Sequence, residues 1–251
     1  MKIVFSLFGR PKELKYCFQS LLSAKRFNEF EVYIDINDCQ NPINEDVCRQ
    51  AEKFVSECGV PCELNKLNDG FGANINMYRT LNKFSEKVLY MASDVLIHYE
   101  CLDKYLMLNE RFPDYPVTLY HPLPHPLYYK EDFAVMRSTT VESLMFNPSL
   151  YFDYCLFKNK FALSKASTID WMLNWVFKLR KVPVITDHFS YVQHLGLSGG
   201  TTSSLWPPTY CYDYIDQPAF FSILKELGYD LNLCTMVRNR DPFEDYLAHQ
   251  K

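Results

Sequence analysis

Lys2-Ile3-Val4-Phe5-Ser6-Leu7-Phe8 is a run of apolar and strand-favouring residues that ends at Gly9-Arg10-Pro11. Behind it, Leu14, Cys17, Phe18, Leu21 and Leu22 recur at the i, i+3, i+4, i+7, i+8 spacing of one helical face. Pro11 suits the first turn of that helix, where its missing N–H would have no intrahelical partner. The same order then repeats. Glu31 to Ile36 predicts a second strand, and Val47, Ala51, Phe54, Val55 and Cys58 predict a second amphipathic helix, closed by Gly59. Cys62 to Leu64 predicts a short strand, after which Asn68-Asp69-Gly70-Phe71-Gly72 opens a helix with Met77, Tyr78, Leu81 and Phe84 on one side. Lys87 to Met91 predicts a fourth strand, ending at Ala92-Ser93-Asp94. Alternating strands and helices require parallel strands joined by crossover helices, which excludes a β-sandwich.

Beyond residue 98 the alternation fades. A helix is expected at 101–111, a strand at Val117 to Tyr120, a proline-rich stretch at His121 to Pro126, and a helix from Ile169 to Arg180 carrying Trp171, Leu173, Trp175 and Val176. Trp171 and Trp175, four residues apart, read as core. Val182 to Thr186 predicts another strand and Pro218 to Gly228 a last short helix. Residues 197–213, rich in Ser, Thr, Gly and Pro, predict a long loop, and loops of that length in compact domains usually serve function or motion.

At ~150 residues per domain, 251 residues correspond to about 1.7 domains, and a single domain over 1–251 is expected. With 48% hydrophobic and 22% charged residues, 8 Gly and 14 Pro, global disorder is excluded. Against 30 acidic side chains there are 26 basic ones, a net charge of −4, so a nucleic-acid partner is not expected. No stretch approaches the ~18 apolar residues of a spanning helix. The apolar start is too short for a signal peptide and lacks a small-residue cleavage site, so a soluble, cytoplasmic protein is expected. Nine cysteines at irregular spacings form neither a disulfide framework nor a paired zinc motif, and read as reduced thiols. The 19 Phe, 18 Tyr and 3 Trp exceed what a core needs and suit a ligand with an apolar face and a polar rim.

Open α/β sheets bind ligands at the carboxyl ends of their strands. There the chain carries Gly9-Arg10-Pro11, then Asp35, Asn37 and Asp38, then Asn68-x-Gly70-Phe71-Gly72-x-Asn74-x-Asn76, then Ser93-Asp94-Val95. In this order the four segments resemble the nucleotide-binding half of a GT-A glycosyltransferase of the family 2 type. That family has an R-P after strand one, an Asp-rich turn after strand two, an N-x-G-F-G-like loop and a D-x-D motif. The resemblance implies an α/β fold of GT-A type, a Rossmann-like, mostly parallel sheet flanked by helices. Residues 1–98 would form a nucleotide-sugar-binding half, 99–215 an acceptor and catalytic half, and 216–251 a C-terminal helical tail. The implied activity transfers a sugar from a nucleotide diphosphate-sugar, a UDP-sugar foremost, to a hydroxyl of a glycan or glycoprotein acceptor. The short chain and its degraded motifs are also similar to those of capsid-glycosylating enzymes of large algal viruses.

Carried over by position, Asp35 and Asp38 fall where the family recognises base and ribose, with Phe8, Arg10, Asn68, Gly72, Asn76 and Ser93 lining the nucleotide site. Asp94 is the last acid of the D-x-D, and His194, in Gln193-His194-Leu195-Gly196, matches a late histidine that approaches the metal. An imidazole ligand favours Mn²⁺ over Mg²⁺. Ala92 stands where the first acid would be, so the ion needs another ligand or is held more weakly. Without a metal, Arg10 or Arg79 would neutralise the diphosphate. Asp170, in Thr168-Ile169-Asp170-Trp171, resembles the family's base for an inverting transfer, with Asp153 and Asp187 as rivals. Ser167-x-x-Asp170 is equally a capping-box pattern, and both readings stand. Trp206 is a candidate lid over the donor. Asp35 and Asp38 also fit simple turn formers, and His121, His125 and His188 read as structural. A catalytically silent nucleotide- or sugar-binding module is the alternative to an enzyme.

Overall fold

The computed structural model describes residues 1–121, 127–136, 141–152, 169–195, 211 and 213–229. Strand β1 (Lys2–Leu7) pairs in parallel with β2 (Glu31–Ile36), β2 with β3 (Cys62–Lys66), and β4 (Val88–Met91) lies parallel on the other side of β1. Helices α1 (Pro11–Leu22), α2 (Glu45–Glu57) and α3 (Ala73–Leu81) join them. The expected alternation therefore holds to the end of β4. Strand β1 stops one residue early, and Phe8 stands 44% exposed beyond it.

From there the chain enters β5 (Val95–Ile97), α4 (Cys101–Arg111), β6 (Val117–Thr118), β7 (Leu127–Tyr129), β8 (Ala134–Met136), β9 (Ser143–Phe146) and α5 (Pro148–Phe152). After the undescribed residues 153–168 come α6 (Ile169–Leu179), β10 (Val184–Thr186), β11 (Val192–His194) and α7 (Gln217–Glu226). Nine strands form one sheet in the order β3-β2-β1-β4-β9-β6-β10-β8-β7. Following the pairings outward from β1, only β8 and β9 run against the rest. The sheet is mostly parallel, as expected, with its antiparallel members confined to the second half.

Both sheet faces are buried, which is why the early strands read as nearly continuous apolar runs. Ile3, Phe5 and Leu7 of β1 and Leu89 and Met91 of β4 pack with Leu14, Phe18 and Leu21 of α1, Phe54 of α2 and Tyr105 of α4. Val4, Val88 and Tyr90 face the other way, toward Leu81 of α3 and the buried face of α6. That face consists of Ile169, Met172, Leu173, Val176 and Phe177, again at i, i+3, i+4, i+7, i+8. Trp175 lies off this stripe and is 49% exposed, which corrects its expected place in the core. Helix α7 returns to α1 through Phe220 and Leu224, and Tyr16 and Tyr229 donate hydroxyl hydrogen bonds to Glu226 and Glu13. All seven described cysteines are free thiols.

Candidate active site

The chain leaves β1 through two left-handed residues, Gly9 (φ 63°) and Arg10 (φ 56°), and Arg10 is the N-cap of α1. A non-glycine residue is uncommon in this region, so the turn is held from outside. Asn44, wholly buried before α2, accepts from the Gly9 N–H at 2.7 Å and donates to the carbonyls of Asn37 and Asp38, both at 3.0 Å. One side chain thus locks the loops after β1 and β2 together. Sequence reading missed Asn44; its signal is its place in Asn41-Pro42-Ile43-Asn44, directly before a helix. Asp38 also has positive φ (52°) and accepts from Asn41. A Cβ on Gly70 would come within 2.9 Å of the Asp38 Cβ, so the third loop can approach only with glycine there.

Several expected nucleotide residues turn out to shape these loops. Asn76, buried, accepts from the Phe71 N–H at 3.1 Å, and Gly72 (φ 86°) is the N-cap of α3. Asn68 is exposed and accepts from the Cys39 thiol. Ser93 lies in the turn between β4 and β5. Asp35 is 0% exposed, and its Oδ2 accepts from Thr80 at 2.8 Å and from Lys83 at 2.6 Å. Through Oδ2 the carboxylate ties Thr80 of α3 and Lys83 to β2, while its buried Oδ1 has no hydrogen-bond partner among the described residues. Phe8, Ile43 and Phe71 are exposed apolar groups of this rim, and the Arg79 guanidinium lies 4.8 Å from the Phe71 ring centroid.

Asp94 is positioned by a small second sheet that sequence periodicity did not reveal. Strand β5 pairs antiparallel with β11, placing Val95 opposite His194, and the Leu195 N–H donates to the Asp94 carbonyl at 2.7 Å. Asp94 Oδ2 consequently lies 3.1 Å from His194 Nε2 and in contact with Arg10 Nη1. Both Asp94 and His194 are buried. Burial, opposed mainly by the charge of Glu142, holds His194 down to about 4, so its imidazole is neutral at pH 7. Burial also lowers Arg10, against the pull of Glu13 and Glu142. Three residues expected at the site from three separate segments therefore meet.

A carboxylate oxygen and a neutral imidazole nitrogen are suitable donors for a divalent transition ion. Asp94 Oδ2 makes charge contacts without hydrogen-bond geometry, and His194 Nδ1 has no hydrogen-bond partner among the described residues. Among those residues no three of His, Cys, Asp and Glu stand close enough to enclose an ion, so Asp94 and His194 fit as half of a donor set.

The remaining candidates divide clearly. The Ile169 N–H, at the start of α6, donates to Asn74 Oδ1 at 3.2 Å, so the helix bearing Asp170 begins beside the start of α3. The Asp170 and Trp171 side chains lie outside the described residues, as do Asp153, Gly196 and Trp206. Asp187 is paired with Lys104 at 3.1 Å. His121 bridges Asp213 and Thr186, at 2.6 Å each, and His188 Nε2 meets the carbonyls of Lys130 and Phe133; both are structural, as expected. No described helix is long and apolar enough to cross a membrane.

No family model and no curated protein matches the chain. Among solved structures, residues 1–349 of S. aureus TarS superpose with a TM-score of 0.54 at 14% identity, covering 76% of this chain and 59% of that one. The chain has a GT-A fold. TarS in complex with UDP matches at a TM-score of 0.53 and 16% identity, over 76% of this chain and 60% of that one. In complex with UDP-GlcNAc the values are 0.53, 15%, 79% and 61%. The chain thus spans about three fifths of the TarS 1–349 structures, and identities this low speak for the GT-A fold alone.

Proposed function

We propose that the protein is a glycosyltransferase that moves a sugar from a nucleotide diphosphate-sugar to a hydroxyl of a glycan or glycoprotein acceptor. The observation that carries this reading is the meeting of Arg10, Asp94 and His194 at the carboxyl edge of a GT-A sheet. UDP in the TarS complexes makes UDP-sugars the first donors to test.

The diphosphate gains negative charge as its bond to the anomeric carbon breaks. Arg10 supplies a fixed cation at the end of β1, and the exposed Phe8 and Phe71 rings offer apolar faces to the base. Asp94 and His194 would hold a divalent ion, Mn²⁺ before Mg²⁺, which when bound adds positive charge for the leaving group. Asp170, in the first turn of α6, takes the proton from the acceptor hydroxyl as that oxygen attacks opposite the diphosphate. Its rival Asp187 is already engaged by Lys104.

A panel of UDP-sugars, assayed for UDP release and for the anomeric configuration of the product, tests the reading. Asp170→Asn should lower turnover by about 10²–10⁴-fold with UDP affinity unchanged. Retained configuration would remove the base role. UDP binding without release from any donor, with or without acceptor glycans, would favour the silent module.

A further inference from the structure

Glu142 opens the segment that leads into β9, and its backbone carbonyl accepts from the Ala92 N–H at 2.8 Å. The carboxylate-bearing residue of one strand thus sits directly across from the alanine that precedes Asp94 by two positions. One oxygen of its carboxylate, Oε2, is buried and has no hydrogen-bond partner among the described residues. Only six such side-chain atoms occur there, and Asp94 Oδ2 and His194 Nδ1 are two of the others. Glu142 Oε2 and His194 Nδ1, both without a hydrogen-bond partner, and Asp94 Oδ2, held only by charge contacts with Arg10 and His194, therefore come from segments joined by the β4–β9 and β5–β11 pairings. The negative charge of Glu142 acts on both Arg10 and His194, so its side chain shares their electrostatic neighbourhood. A buried carboxylate oxygen without a partner is costly unless a cation faces it or the group takes up a proton.

We infer that Glu142 is the compensating carboxylate of the cation site, supplying from the neighbouring strand the negative charge that Ala92 lacks. The inference rests on the cation-assisted reading above and adds a positioning residue to it. Glu142 acts through charge and not as a third enclosing ligand, since no three described donors stand close enough for that. Ala92 is partly exposed, so an aspartate there has room to restore the charge.

The test is a Mn²⁺ titration of the full chain, followed by the electron paramagnetic resonance of free Mn²⁺, with and without UDP. A unit charge facing a divalent ion through partly buried protein is worth at least about tenfold in affinity. Glu142→Gln should weaken Mn²⁺ binding by about that factor in both conditions, while Glu142→Asp stays near wild type. Adding Ala92→Asp to Glu142→Gln should bring the affinity back. Unchanged affinity in Glu142→Gln, failure of the folded double variant to recover, or a wild-type chain that binds no Mn²⁺ would each overturn the inference. Loss of the glycosyltransferase reading has a different signature: UDP fails to bind with or without Mn²⁺, while the Mn²⁺ affinities without UDP still follow Glu142.

Discussion

Asn44 shows how much of this site depends on a residue that touches no expected ligand. Its three hydrogen bonds join the loop that carries Arg10 to the loop after β2. Asn44→Ala would leave the buried Gly9 N–H and Asn37 carbonyl short of a partner, at about 2 kcal/mol or more in total, while the Asp38 carbonyl keeps the Asn41 N–H. Urea unfolding should show that loss, and UDP affinity should fall because Gly9 and Arg10 are freed from their left-handed turn. A variant as stable as wild type would show that water replaces the amide fully. Asp94 was legible as a candidate because it closes four motifs in family order, and His194 through a separate His-x-Gly pattern late in the chain. Asn44, Lys83 and Glu142 were not. A buried polar residue owes its role to partners brought in by tertiary contacts, such as Thr80 and Lys83 on Asp35, and no local spacing announces those.

At the scale of elements, legibility follows length. Helix α4 spans Cys101–Arg111 and strand β2 Glu31–Ile36, as expected from sequence, because each presents enough residues to show a period. The three-residue strands β5 and β11 are too short to do so, yet their pairing is what delivers His194 to Asp94. Helix α6 was found with its phase misjudged, since two tryptophans four residues apart suggested the buried side. Phe177, fully buried on that helix, should cost about 3–5 kcal/mol when cut to alanine. Trp175→Ala should stay within about 1 kcal/mol, being largely exposed. Urea midpoints of the two variants compare them directly, and equal losses would contradict the assigned phase. The exposed Trp175 ring, with Leu179 beside it in exposure, belongs to the outer surface of α6.

Across the whole molecule, the sheet divides the work. Its parallel end, β3-β2-β1-β4, presents the loops that carry Arg10, Asp38, Gly72 and Asp94. The mixed end, through β9, adds Glu142 beside β4, and the small second sheet adds His194, so residues distant in sequence complete a site begun by the first hundred. The doubly covered architecture was readable because it depends on hydrophobic period alone. The join between the two ends was not, because it depends on antiparallel pairings between short strands far apart in sequence. On the proposed function, a nucleotide diphosphate sits where these two ends meet. A crystal structure of the chain with UDP and Mn²⁺ tests it most directly. The diphosphate should lie beside Arg10, with the ion between it and the Asp94 carboxylate. UDP bound elsewhere on the surface, or a diphosphate with neither Arg10 nor Asp94 as a neighbour, would contradict it.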